Sequence, residues 1–165
     1  MLKVERIATS QGPLLKALRC KALADAPYAF SATSAEALNR SDKSWADSAA
    51  HLAQDKRSTT FIAYYDGKPC GMMGCYITDE EDDISNLVAV WVAPEYRHLK
   101  AGQGLLEVVK QWSRESNAHV LHAWVAEQNA LAIRFYKAAD FKKTGRRQPF
   151  KSDDSQEEIL LALKL

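Results

Sequence analysis

The stretch Leu87-Val88-Ala89-Val90-Trp91-Val92-Ala93-Pro94-Glu95-Tyr96-Arg97-His98-Leu99-Lys100-Ala101-Gly102-Gln103-Gly104-Leu105-Leu106 decides how the chain is read. Its first six residues are apolar without alternation, which predicts a strand buried on both faces and central in a sheet. Pro94 ends that strand. From residue 102 to 113, Leu105, Leu106, Val108, Val109 and Trp112 recur at helical spacing. A strand that runs at once into a helix leaves bare N–H groups at the helix N-terminus. Those donors and the helix dipole suit a phosphate. Gly102 and Gly104 let backbone approach a ligand closely, and Arg97 and Lys100 can pair with phosphate oxygens. A helix-start loop with merely solvated cations fits the same residues.

Working outward from this stretch gives the rest of the order. Residues 2–7 alternate apolar and charged and predict a half-buried strand. Pro13 opens a helical pattern with Leu14, Leu18 and Ala22 on one face, ending near Ala26-Pro27. Thr33 with Glu36 is a capping-box signal for a second helix, whose apolar stripe continues through Trp45, Ala49 and Leu52. Residues 61–65, Asp66-Gly67 and residues 68–77 read as a β-hairpin closed by a tight primed turn. Five acids, 79–83, predict a solvated loop. Beyond the central helix, residues 120–125 form a second buried strand. Leu131, Ala132, Phe135, Tyr136 and Ala139 mark a short helix, and residues 141–147 and 158–165 a final antiparallel pair. The expected order is β-α-α-β-β-β-α-β-α-β-β, an α/β (α+β) fold in a single domain over 1–165. The central strand-helix-strand implies one parallel crossover in a mostly antiparallel sheet flanked by helices.

Composition narrows the function. A length of 165 residues fits one domain with a sizeable core. Lys plus Arg number 22 and Asp plus Glu 21, a net charge of +1, which argues against a general nucleic-acid or anionic-membrane binder. No run of 18 apolar residues is present, so no membrane-spanning helix is expected. The charged start, Met1 to Arg6, is unlike a signal peptide. Three cysteines, Cys20, Cys70 and Cys75, suggest a reducing, cytoplasmic setting rather than a disulfide framework, and no metal site is expected.

Two segments carry a resemblance. Residues 92–106 resemble the coenzyme A loop of the GNAT superfamily of acyl-CoA-dependent N-acetyltransferases, with its Arg-x-x-Gly-x-Gly/Ala spacing before a Leu-rich helix. Residues 129–141, Asn129-Ala130-Leu131-Ala132-Ile133-Arg134-Phe135-Tyr136-Lys137-Ala138-Ala139-Asp140-Phe141, resemble the family's second motif, and the element order matches along the whole chain. The resemblance implies acetyl-CoA as acyl donor and direct transfer to a primary amine in a ternary complex. Backbone groups of Val90, Trp91 and Val92 would pair with the pantetheine arm as an added strand does. The pyrophosphate would lie on N–H groups from Arg97 through His98, Lys100, Ala101, Gly102 and Gln103. Asn129 would hold the pantetheine or acetyl end, and Tyr136 would donate a proton to the departing thiolate. A non-catalytic CoA-binding or regulatory module on the same fold is the alternative.

Two positions depart from the family pattern. Lys100 stands where the first glycine is usual, and either strains the loop or adds a phosphate contact. Asp140 replaces the glycine before Phe141, a change confined to a helix C-terminal turn. The general base is not legible: the central strand has no carboxylate, Glu127 reads equally as a solvated acid, and His122 reads as a core histidine. In relatives the acceptor site is built by the connection between the N-terminal helices and by the C-terminal hairpin, here residues 25–31 and 142–154. Tyr28, Phe30 and Glu127 are its candidate residues. The acceptor is expected to be a small-molecule amine or a peptide N-terminus. Trp45, Trp112 and the last strand are candidates for a homodimer contact, or for plain core packing.

Overall fold

In a computed structural model, residues 1–27, 34–150 and 153–165 are described. One seven-stranded sheet has the order β1-β2-β3-β4-β5-β7-β6. Its strands are β1 (Leu2–Arg6), β2 (Ser58–Tyr65), β3 (Lys68–Tyr76), β4 (Ile84–Val92), β5 (Val120–Ala126), β6 (Lys142–Phe150) and β7 (Asp153–Lys164). The helices are α1 (Gly12–Asp25), α2 (Ser34–Asn39), α3 (Asp42–Gln54), α4 (Ala101–Glu115) and α5 (Ala130–Ala138). Only the β4–β5 pair is parallel; every other pairing is antiparallel, as the crossover rule requires of a strand-helix-strand unit. The β2–β3 turn has Asp66 at φ 48° and Gly67 at φ 81°, the two positive angles that a primed turn needs.

Two apolar cores lie on either side of the sheet. Leu105, Leu106 and Val109 of α4, with Tyr136 of α5, pack on Met73, Leu121, Ala123 and Leu161. Leu15, Leu18 and Leu23 of α1, with Trp45 and Ala49 of α3, pack on Ile62, Met72 and Trp91. At Gly12 a Cβ would lie 2.8 Å from the Ala46 Cα, so α1 and α3 cross in backbone contact that only glycine permits.

The single helix expected after Thr33 is two helices. Ser41 accepts a hydrogen bond from the Ser44 N–H at 3.1 Å and caps a fresh helix, α3. Arg40 folds over the Trp45 ring, 3.8 Å from its centroid, and fills the corner. Thr33 itself lies outside the described residues, as do Tyr28 and Phe30. The last hairpin is also longer than expected.

A second correction concerns β4. It is central in strand order, yet most of it is only half-buried, and Val88 is 45% exposed. Its unbroken apolar pattern reflects a cleft wall rather than burial on both faces. Of the candidate dimer residues, Trp45 is buried and β7 lies between β5 and β6. Among the described residues no helix is long and apolar enough to cross a membrane, and no cluster of His, Cys, Asp or Glu is placed to hold a metal.

Candidate active site

The cleft exists because β4 and β5 part company. They pair from Ile84↔Val120 to Asn86↔His122 and no further. Beyond that point β4 stays bound to β3 as far as Gly71↔Val92, and β5 stays bound to β7 as far as Ala126↔Glu158. Each strand is therefore held on its outer edge while the inner edges diverge. A bulge helps: the β3–β4 register shifts between Met72 and Gly74, and Ala89 opposite it is left-handed at φ 53°. Between the inner edges lies a cleft of about 600 Å³. Its walls are Leu87 to Val92 on one side and Ala123 to Ala126 on the other.

The mouth of the cleft is the start of α4. Residues Pro94–Leu99 coil as a 3-10 helix, and Lys100 then turns the chain with φ 65° and ψ 20°. In a 3-10 helix the later N–H groups bond three residues back, so Arg97, His98 and Leu99 present few free donors. The orphan donors are those that open α4, and no side chain caps them. Gly102 sits where a Cβ would come 3.1 Å from the Phe135 ring, so glycine lets the helix start press against the cleft wall. Lys100, Gly102, Gln103 and the adjacent Arg97 and His98 all line the opening. The combination is an anion-receiving rim above an apolar slot.

Deeper in, α5 supplies two polar groups. Asn129 Oδ1 accepts from the Ala132 N–H at 3.2 Å and so caps α5, which fixes the side chain at the cleft edge. Tyr136 lies seven residues on, two helical turns, on the same side of α5. Its ring is packed against Phe135 and Phe141, with centroids 5.3 and 5.0 Å away. Burial pushes its phenol above the usual value, so it is protonated at neutral pH.

Residues 22–141 match the sequence profile of the acetyltransferase (GNAT) family. The chain belongs to that family. An uncharacterised N-acetyltransferase of Methanocaldococcus jannaschii is 25% identical over 87 residues, 50% of this chain and 38% of that protein. One of Archaeoglobus fulgidus is 28% identical over 96 residues, 56% of this chain and 65% of its own length. The chain thus matches less than two thirds of either relative. A GNAT acetyltransferase structure from Streptococcus pneumoniae superposes with a TM-score of 0.82 over 100% of this chain and 99% of that one, at 17% identity, a likeness of fold.

Of the motif residues expected at the cleft, Val90, Trp91, Val92, Asn129 and Tyr136 line it, whereas Ala101 is fully buried behind the rim and does not. Asp140 takes the left-handed geometry, φ 71°, that the missing glycine would have taken. Glu127 does not face the cleft. It is ion-paired with Arg147, which also donates to Glu157 at 2.5 Å, and this pairing holds the Glu127 carboxyl below its usual range. His122 is half-buried, and burial first, then Arg146, lowers its pKa. Burial pushes the Cys75 thiol up to about 12, so it is no thiolate at neutral pH.

One polar group was not foreseen from the sequence. Asp25, the last residue of α1, accepts from the Trp91 indole N–H at 3.0 Å and from Arg97 Nη2 at 2.5 Å. The Trp91 bond first, then Arg97, holds its carboxyl below the usual range against partial burial. Its partners are 66 and 72 residues away in sequence, so no local spacing announces them.

Proposed function

We propose that the chain transfers an acetyl group from acetyl-CoA to a primary amine, by direct attack within a ternary complex. The observation that carries this reading is the parted β4–β5 edge, with an uncapped helix N-terminus at its mouth and a protonated tyrosine in its depth. The unpaired inner edge of β4 at Val90 to Val92 offers main-chain partners to the amides of a pantetheine arm. N–H groups at Gly102 and Gln103 receive the pyrophosphate, with the Lys100 ammonium beside them. The neutral acceptor amine attacks the thioester carbonyl, and a β4 backbone N–H near Val92 holds the oxygen as it becomes anionic. The C–S bond breaks, Tyr136 protonates the leaving sulfur, the amine sheds its proton to water, and Tyr136 takes a proton back from water to restore the phenol. A buried, protonated Cys75 supports direct transfer over an acyl-cysteine route. Three free cysteines support a cytoplasmic setting, and the acceptor class is a small amine or a peptide N-terminus.

Acetyl-CoA at 100 times its Kd is expected to stabilise the fold by about 2.7 kcal/mol. Thermal unfolding with and without the ligand reads this directly. No rise at millimolar acetyl-CoA would remove the reading. An amine panel, followed by release of free thiol, then separates an enzyme from a non-catalytic CoA-binding module, which would bind without turnover.

Lys100 separates two effects that sequence alone conflates. Its backbone is left-handed at φ 65°, which is a cost to the stability of the fold. Lys100→Gly relieves a left-handed cost of about 1–2 kcal/mol but adds about 0.5–1 kcal/mol of glycine entropy. The net expectation is a gain in stability of about 0.5–1 kcal/mol. The same change deletes a charge at the rim, so acetyl-CoA should bind about ten-fold more weakly. That loss should shrink as salt rises. Calorimetric titration at two salt concentrations is the check, and unchanged affinity would place the ammonium in solvent.

A further inference from the structure

We infer that Asp25, Trp91 and Arg97 form a clasp that positions the open end of β4, and that the Arg97 side chain serves this clasp rather than a coenzyme phosphate. The inference rests on the acetyl-transfer reading of the cleft. One carboxylate oxygen of Asp25 takes both the Trp91 indole N–H, at 3.0 Å, and Arg97 Nη2, at 2.5 Å. Arg97 Nε meanwhile donates to the Val92 carbonyl at 2.9 Å. The same guanidinium therefore ties the last residue of β4 to the last residue of α1. Its Nε and Nη2 are both committed to protein oxygens.

The position of this clasp explains its need. Past Asn86, β4 has lost β5 as a neighbour and is held only on its β3 side. A strand end with one free edge would curl or fray, and the cleft width would vary with it. Asp25 and Arg97 supply the missing restraint from a third direction. Trp91 adds its own: its ring is buried in the core beneath α1, and its one polar atom is satisfied by Asp25. The clasp also fixes where the connection after α1 departs, because Ala26, the next residue, lines the cleft. Asp25 and Arg97 are positioning residues in this scheme, acting through the backbone of β4.

A phosphate-free ligand distinguishes the clasp from a phosphate contact. Binding of acetyl-CoA and of S-acetylpantetheine is measured for the wild type, Asp25→Asn, Arg97→Gln and Trp91→Phe. Trp91→Phe keeps an aromatic ring in the core while removing the donor. The clasp predicts that Asp25→Asn and Arg97→Gln weaken both ligands by the same factor, about three- to ten-fold for a charge-assisted bond acting indirectly, with no change in salt dependence. The double variant should be no worse than the worse single one, since both break one unit. The Trp91 indole N–H resonance, assigned by its loss in Trp91→Phe, should shift in Asp25→Asn. The clasp is overturned if Arg97→Gln weakens acetyl-CoA but spares S-acetylpantetheine while Asp25→Asn changes neither. It is equally overturned if the indole resonance does not move. A wild type that binds neither ligand would sink the acetyl-transfer reading alone, and the indole shift would still decide whether the clasp exists.

Discussion

Tyr136→Phe should lower kcat by about 10²–10⁴-fold, the usual range for loss of a positioned general acid, and leave acetyl-CoA affinity within a small factor of the wild type. The phenol oxygen is the only atom removed. Phenylalanine keeps the ring between Phe135 and Phe141, so the packing that sets the cleft wall survives. The hydroxyl matters only when sulfur carries negative charge, which is in the transition state, and interactions of that kind appear in kcat rather than in ground-state binding. Because burial raises the phenol above its usual range, it stays protonated through neutral pH, and no fall in rate from its ionisation is expected there. Steady-state kinetics and calorimetric titration on the same preparation provide the comparison. Wild-type turnover by the phenylalanine variant would take Tyr136 out of the mechanism.

Leu105→Ala should cost about 2–5 kcal/mol of stability, the range for deleting a buried leucine and leaving a cavity. Leu105 is fully buried, in the cluster that joins α4 to β3, β5 and β7. Domains of this kind are stable by only about 5–15 kcal/mol, so the loss is a large fraction of the total. Urea unfolding should show a lower midpoint with an unchanged slope. Glu107, on the exposed side of the same helix and paired with Lys110, is the control: Glu107→Ala should stay within about 0.5 kcal/mol. A loss below about 1 kcal/mol for Leu105→Ala would mean that the α4 face repacks far more readily than cores generally do.

The sequence carried the order of elements along the chain because its signals were local. Asp66-Gly67 set a turn, Pro94 stopped a strand, and the apolar spacing of α4 set its buried face. The family motifs placed Asn129 and Tyr136 on one side of a helix seven residues apart, and that side faces the cleft. What stayed illegible depended on distance. Asp25 meets Trp91 and Arg97 only because α1 is laid across the sheet. The fate of Glu127 depended on Arg147, twenty residues later on another strand. The half-exposure of β4 is not legible because a cleft wall and a strand buried on both faces have the same apolar pattern; only the end of pairing at Asn86 tells them apart. The break before α3 is signalled by Ser41-Asp42 but masked by the apolar stripe, which runs on through the corner.

The parted strands have a further consequence, for the order in which the protein assembles. The half-sheet β1-β2-β3-β4 is made by one continuous piece of chain, and β5-β7-β6 by another, with α4 running between them. Three strand-paired residue pairs join the halves, together with the His119 and Val120 N–H groups, which donate to the Asp83 carbonyl. The β4–β5 pairing spans 36 residues, fewer than the 63 between Leu2 and Tyr65 that close β1 on β2 or the 44 between Val120 and Lys164 that close β5 on β7, so the seam is the shortest stretch of pairing and not the longest closure. A chain emerging from its N-terminus can complete four strands and four helices before the seam is needed. The cleft lies on that seam, so its shape depends on both pieces of chain being in place.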